Sequence, residues 1–389
     1  MKQISILLAI ILGLGLALAW TAGLARAEAG AVQLAGTVIE MDLAPAGDVF
    51  DLNPDAAGNL WLSDYAAAQI WQFTPGTNVY TIYHGMTGVD DAQRDASGAV
   101  WWADFDTPGL GRISLAGGTL TKWTLPGAVD PWGLDFTAAG EVWLADVSAP
   151  LLHHFSFASM MLCSYPLPDA GASNYVREFG GKLWMVDYIN DRLVQFDPAA
   201  AKFTYWTYPG DMYSYGLEFD AAGNLWWADA LLYEDAVGFF QPALNQATVY
   251  TSPVGTELGM IALQGQLVWY TEWSGAGGSF TVMNPTQAAS TVQSLTPVLS
   301  PVITPTCTSL GVGVTTPLVT SGGTGIFASN TVTLTVDGKG FTSYALPDVG
   351  QAWDILPTSK GVWVVDYGRD KLMFYPFDEG VFLPAIFRP

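Results

Sequence analysis

Leu60-Trp61-Leu62-Ser63-Asp64 is the first of seven matching stretches in this chain. It returns as Val100-Trp101-Trp102-Ala103-Asp104, Val142-Trp143-Leu144-Ala145-Asp146, Leu183-Trp184-Met185-Val186-Asp187, Leu225-Trp226-Trp227-Ala228-Asp229, Val268-Trp269-Tyr270-Thr271-Glu272 and Val362-Trp363-Val364-Val365-Asp366. The Trp-to-Trp spacings are 40, 42, 41, 42, 43 and then 94 residues. A recurring unit of that length is one propeller blade, so the repeat sets the fold ahead of local propensity. The expected fold class is all-β, a seven-bladed β-propeller of four-stranded blades.

The rest of a blade lies around each Trp strand. A turn such as Asp55-Ala56-Ala57-Gly58 precedes it, a strand such as Gln69-Ile70-Trp71-Gln72-Phe73 follows, and a Thr-rich strand such as Thr119-Leu120-Thr121-Lys122-Trp123 completes the unit. Most of these strands are apolar on both faces, as stacked sheets require. The spare strand Gly36-Thr37-Val38-Ile39-Glu40-Met41-Asp42-Leu43 is expected to become the outer strand of the last blade and close the ring. An open or eight-bladed ring is the alternative. The long last spacing is assigned to an insertion in the sixth repeat, about residues 285–336, because Pro285 to Val336 carries no blade signature. No charged residue occurs from Trp273 to Val336. Two readings of the insertion stand open: a loosely packed, glycosylated hairpin arm, or a lid over one face of the ring.

Half of the 389 residues are apolar, 13% are aromatic and 13% charged, which excludes disorder, coiled coil and collagen. Fourteen basic against 36 acidic side chains give a net charge of −22, a field that repels phosphate backbones and excludes nucleic acid as an expected partner. Lys2, the apolar run Ile4 to Trp20 and Ala25-Arg26-Ala27 read as a secretory signal over residues 1–27. An uncleaved anchor is the alternative. The propeller then spans residues 28–380, the apolar stretch Val381 to Phe387 lies in a C-terminal tail, 381–389, and the expected location is secreted or extracellular, with no membrane span after cleavage. Two cysteines make neither a disulfide framework nor a four-cysteine zinc site. Cys163 falls in an outer strand of the third repeat and Cys307 in the insertion. If paired, they are expected to carry the insertion across the ring as a clamp or lid; otherwise they are two buried thiols.

Hairpin arithmetic points to one mouth of the ring. The position shortly before each Trp strand holds Phe50, Asp90, Trp132, Tyr175, Tyr215, either Leu258 or Met260, and Trp353. The position three after Trp holds Asp64, Asp104, Asp146, Asp187, Asp229, Glu272 and Asp366. Antiparallel pairing brings both to the same end of each hairpin, giving an aromatic inner ring backed by an acidic one. Phe50, Trp132, Tyr175, Tyr215 and Trp353 are the candidate ligand-binding residues, with blade packing as the alternative role. The candidate cofactor is a divalent cation, magnesium or calcium, on Glu272 and Asp366; accepting backbone N–H bonds at strand ends is the alternative. His84, His153 and His154 are read as structural, since the adjacent pair on one strand points to opposite faces.

Pro131-Trp132-Gly133-Leu134-Asp135, followed by Gly140-Glu141-Val142-Trp143-Leu144-Ala145-Asp146, resembles the repeat of the virginiamycin B lyase (streptogramin lyase) family. Trp269-Tyr270-Thr271-Glu272-Trp273 is similar to that family's Trp-Phe-Thr-Glu signature, and the resemblance covers about residues 36–376 apart from the insertion. It implies a propeller, and an elimination that opens a cyclic depsipeptide at its ester with magnesium and a catalytic histidine. The family's Pro-His segments fall on Glu257-Leu258-Gly259-Met260 and Gln351-Ala352-Trp353-Asp354, and its glutamate after the last Trp falls on Tyr367. Of the implied groups, Glu272 keeps an acid.

The expected function is a secreted propeller that binds a small molecule, glycan or protein at one face without lyase chemistry. The alternatives are a divergent carbon–oxygen lyase or metal-dependent lactonase or hydrolase, and a surface structural protein.

Overall fold

A computed structural model describes residues 37–43, 47–230, 236–253, 257–272, 278–331, 333–336, 340–347 and 350–377. The expected signal segment and the C-terminal tail lie outside the described residues. The described chain forms seven antiparallel sheets around one axis. The first blade runs outward through Val49–Pro54, Leu60–Asp64, Gln69–Thr74 and Val79–His84. The repeated tryptophan wedges one blade against the next. Trp61 packs with Val100 and Trp102 of blade 2, Trp101 with Leu134 and Val142 of blade 3, and Trp363 with Leu52 and Leu60 of blade 1. Blades 2 and 5 carry a second Trp, and its register partners are Gly111 and Gly238. A Cβ on Gly111 would sit 1.9 Å from the Trp102 ring and one on Gly238 2.0 Å from Trp227, so these two strands need glycine there.

Ring closure follows the expectation. Thr37–Asp42 pairs with Lys371–Pro376 as the fourth strand of blade 7, with Ile39 opposite Phe374 and Asp42 opposite Lys371. Val38 and Met41 are buried, and Arg369 and Lys371 reach the buried Glu40 carboxylate at 3.6 and 3.4 Å.

The insertion is neither an arm nor a lid. It is a girdle that adds a fifth strand to every blade. Leaving blade 6, it runs backward round the ring: Ser290–Ser294 pairs with blade 5, Pro297–Leu299 with blade 4, Thr306–Ser309 with blade 3, Val314–Pro317 with blade 2 and Val319–Thr324 with blade 1. Phe327–Thr331 then covers Thr37–Asp42, and Thr333–Val336 pairs with Phe341–Ala345 back in blade 6. The cause is visible at the crossings. The hairpin between the third and fourth strands of blades 1 to 5 places Asn78, Gly118, Met160, Ala201 and Asn245 at positive φ. Their carbonyls accept N–H bonds from Gly325, Leu318, Leu310, Ile303 and Leu295 at 2.7–2.9 Å. Leu295, Ile303, Leu310 and Leu318 also seat their side chains against the clusters between blades. An uncharged segment suits this path, because each crossing pairs backbone groups at a sheet edge with no charge to desolvate.

Cys163 and Cys307 form a disulfide, and they face each other on paired strands of blade 3. The bond therefore fastens the girdle to the circumference and does not carry it over a face. The expectation of a lid missed this because spacing alone does not distinguish a segment crossing the disc from one circling it.

Candidate binding face and axial cavity

The inner strands carry a register break that sets the side chains at the axis. In blade 1 Val49 faces Asp64 but Leu52 faces Leu62, so Phe50 and Asp51 occupy a bulge. The same break falls at Trp132 and Gly133, at Gly259 and Met260, and at Trp353 and Asp354.

The predicted inner ring comes together at one mouth. Tyr175, Met260 and Trp353 are buried there, with Phe50, Trp132, Tyr215 and Tyr367 packed around them. Met260, rather than Leu258, belongs to this cluster; Leu258 joins the core between blades 5 and 6. The rings form a closed circuit: Phe50–Tyr65 at 6.2 Å, Tyr65–Phe105 at 6.1 Å, Phe105–Trp132 at 5.5 Å, Trp132–Tyr215 at 6.5 Å, and Tyr215–Trp353 and Trp353–Phe50 both at 5.0 Å. These separations are those of favourable aromatic pairs. Tyr175 and Trp353 are nearly covered, at 2% and 5% exposed, whereas Phe50, Trp132 and Tyr215 are half-buried and present the platform's accessible surface. Tyr65, Phe105, Tyr188, Tyr213 and Tyr367 were not anticipated. Four of them directly follow the strand-end acid, as in Asp64-Tyr65 and Asp366-Tyr367, a pattern open to sequence inspection. The Tyr65 hydroxyl donates to Asp106 at 2.7 Å, and that bond pushes Tyr65 up to about 12.

The acidic ring holds loops and neighbouring strands in place. Asp64 accepts from the Gly47 and Ala67 N–H groups and from Gln69, while Asp146 accepts from the Val129, Ser148 and Ala149 N–H groups. Glu272 accepts from the Ser279 and Thr281 hydroxyls, and Asp366 from the Gln351 N–H and Arg369. Among the described residues no three His, Cys, Asp or Glu side chains converge as a metal set, and Glu272 and Asp366 each serve donors of their own blade. The donor set of the described residues therefore does not fit a resident magnesium or calcium at this pair.

The histidines are used within the blades. His153 is fully buried, with Nδ1 2.8 Å from Ser164 Oγ and Nε2 3.5 Å from Asp146. This chain of polar groups crosses three strands, and Glu272–Thr281–Ser343 does the same in blade 6. His154 stacks on Trp143 at 4.3 Å and bonds Glu141, and its burial pushes its pKa down. His84 bonds Ser321 on the girdle.

Along the axis, carboxylates staple blade 7 to blade 1, blade 2 to blade 3 and blade 3 to blade 4. Asp354 accepts the Leu52 N–H, Asp91 the Leu134 N–H and Asp135 the Glu178 N–H, each at 2.7 Å. Burial, reinforced by Asp51, pushes Asp91 up to about 7, and burial pushes Asp135 up to about 6. Beside these staples lies a cavity of about 400 Å³, whose lining runs from Asp51, Asp354 and Met260 down to Pro54, Gln264 and Thr358 at the strand 1–2 turns. Arg177 faces it. Burial opposes the guanidinium's charge, but Asp91, Asp135 and Glu218 outweigh that and hold its pKa above the ordinary value.

A pH test follows from Asp91. The folded protein holds its proton to higher pH than the unfolded chain does, so the stability due to this group is full at low pH and declines as pH rises from about 4 to about 7. Asp91→Asn is expected to remove this decline. Urea midpoints should shift in the variant's favour between about pH 5 and about pH 8; a constant offset would contradict the assignment.

No protein-family model and no curated protein sequence matches this chain. Solved structures do. Selenomethionine-substituted virginiamycin B lyase from Staphylococcus aureus aligns over 88% of this chain and 99% of its own, at TM-score 0.62 and 14% identity. A catalytically inactive variant of that enzyme, solved with quinupristin, aligns with the same coverage and identity at TM-score 0.67. YCF48 bound to D1 peptide aligns over 88% of this chain and 97% of its own, at TM-score 0.54 and 12% identity. The chain shares the seven-bladed fold of these proteins.

Proposed function

We propose that this chain is an exported binding propeller whose aromatic mouth takes the place of a lyase reaction centre. The observation that carries the reading is the identity of the residues at that mouth. Trp353 and Tyr367 stand where the resemblance calls for a histidine segment and a glutamate, and both belong to the packed aromatic cluster. A buried tryptophan and a half-buried tyrosine packed against Phe50 supply contact area, while Asp366 beside them is occupied by the Gln351 N–H and Arg369. Export is supported by the basic residue, apolar run and Ala-Arg-Ala of the N-terminus. Two neighbours of the same fold were solved with quinupristin and with a peptide, which favours ligands broad enough to lie across a mouth.

The test has two arms. Purified protein with magnesium is expected to leave streptogramin B antibiotics intact; turnover that scales with protein and stops on chelation would overturn the non-lyase reading. In the second arm, tryptophan fluorescence is titrated with a panel of peptides and oligosaccharides. For any that binds, Trp132→Ala is expected to weaken the complex by about 1–3 kcal/mol, the usual cost of truncating an aromatic contact. Unchanged affinity in a folded Trp132→Ala protein would move the binding face elsewhere.

A further inference from the structure

We infer that the axial cavity, which adjoins the aromatic mouth at Met260, is a second binding site, built for a small uncharged polyhydroxylated molecule of sugar size. Among the described residues the Arg177 guanidinium makes one hydrogen bond, to the carbonyl of Val176 at 3.3 Å, and its carboxylate partner Asp91 stands 3.9 Å away, beyond hydrogen-bond range. A guanidinium has five N–H donors, and a partly buried one with most of them unused is poised for an acceptor. Around it the lining supplies acceptors: Asp51, Asp91, Glu218 and Asp354. Gln264 also lines the cavity; its amide N–H donates to the Thr358 carbonyl at 2.6 Å, and its Oε1 is buried without a partner.

Charge selects the ligand class. Arg177 is the one basic group among the described lining residues and repels a small cation, while burial pushes Asp51, Asp91 and Asp354 toward their neutral forms, so neither an anion nor a cation finds a full set of charged partners there. A hydroxyl both donates and accepts, so a polyol satisfies Arg177 and the carboxylates together. Leu217, Ile261, Leu263 and Leu356 add aliphatic walls that suit the C–H face of such a ring. A volume of about 400 Å³ lies within the range of small-ligand sites. The cavity is lined at its far end by the strand 1–2 turns, away from the mouth.

The experiment titrates the full chain with D-glucose, D-galactose, D-mannose and myo-inositol up to about 50 mM, reading heat and melting temperature, with methylammonium and acetate as charged controls. At least one polyol should bind saturably and more tightly than either control. Ala262→Phe, which places a ring into the cavity from its wall, should weaken binding more than tenfold, whereas Trp132→Ala should leave it unchanged. If Ala262→Phe does not fold, Leu356→Phe fills the same cavity from blade 7. The inference is overturned if no polyol binds, if a charged control binds more tightly, or if binding survives the cavity-filling variant. Loss in Trp132→Ala alone would place the polyol at the mouth, so this inference would fail while the reading of the mouth stood.

Discussion

A chain lacking Thr37–Asp42 is expected to lose about 3–6 kcal/mol of unfolding free energy, the transfer cost of exposing two apolar side chains as buried as Val38 and Met41. The loss does not stop at those side chains. The strand is paired on both edges, with Lys371–Pro376 on one side and Phe327–Thr331 of the girdle on the other. Deleting it strips the edge of blade 7 and detaches the girdle at one crossing. Glu40 leaves with it, so Lys371 and Arg369 lose a buried counter-charge. Thermal and urea melts measure the effect, and limited proteolysis within Phe327–Thr331 reports the released crossing. An unchanged melt with a protected girdle would mean that another contact closes the ring.

The second large effect belongs to the Cys163–Cys307 bond. It closes a loop of 144 residues, and a loop of that length corresponds to about 3–5 kcal/mol of stabilisation through the unfolded chain. Cys163→Ser with Cys307→Ser, or reduction of the native protein, should lower stability by that amount while leaving the innermost strands intact. Girdle strands are short, three to six residues, and several are exposed along their length, so they lie at the weak end of the molecule. Hydrogen exchange should therefore accelerate first in Pro297–Leu299, Thr306–Ser309 and Val314–Pro317. Uniform acceleration through the blades would show instead that the girdle and blades unfold as one unit.

Blade number and the identity of the inner aromatic residues were readable because a propeller repeats one geometry. A residue at a fixed offset from each Trp arrives at the same radius and face, so Phe50, Trp132, Tyr175, Tyr215 and Trp353 were found by counting. Closure by the N-terminal strand was readable for a related reason: a blade short of one strand and a strand short of a blade complete each other. In the candidate site, the roles of the acids were not decided by position. Asp146 and Glu272 look alike in sequence, yet one holds backbone N–H groups of loops and the other hydroxyls of the neighbouring strand, and only the folded chain brings those donors to them.

The sequence by itself determined the ring, its seven blades, the wedging tryptophans and the aromatic residues at one mouth, because all of these follow from short-range periodicity. The tertiary structure decided the path of the insertion, the pairing of Cys163 with Cys307 and the cavity beside Arg177. Each of those depends on groups far apart in the chain meeting in space. The carbonyls of Asn78, Gly118, Met160, Ala201 and Asn245 become a track for the girdle only once five separate hairpins stand side by side on the rim. Arg177 becomes a cavity donor only when strands of several blades converge on the axis and hold Asp91 3.9 Å from it, just out of hydrogen-bond reach.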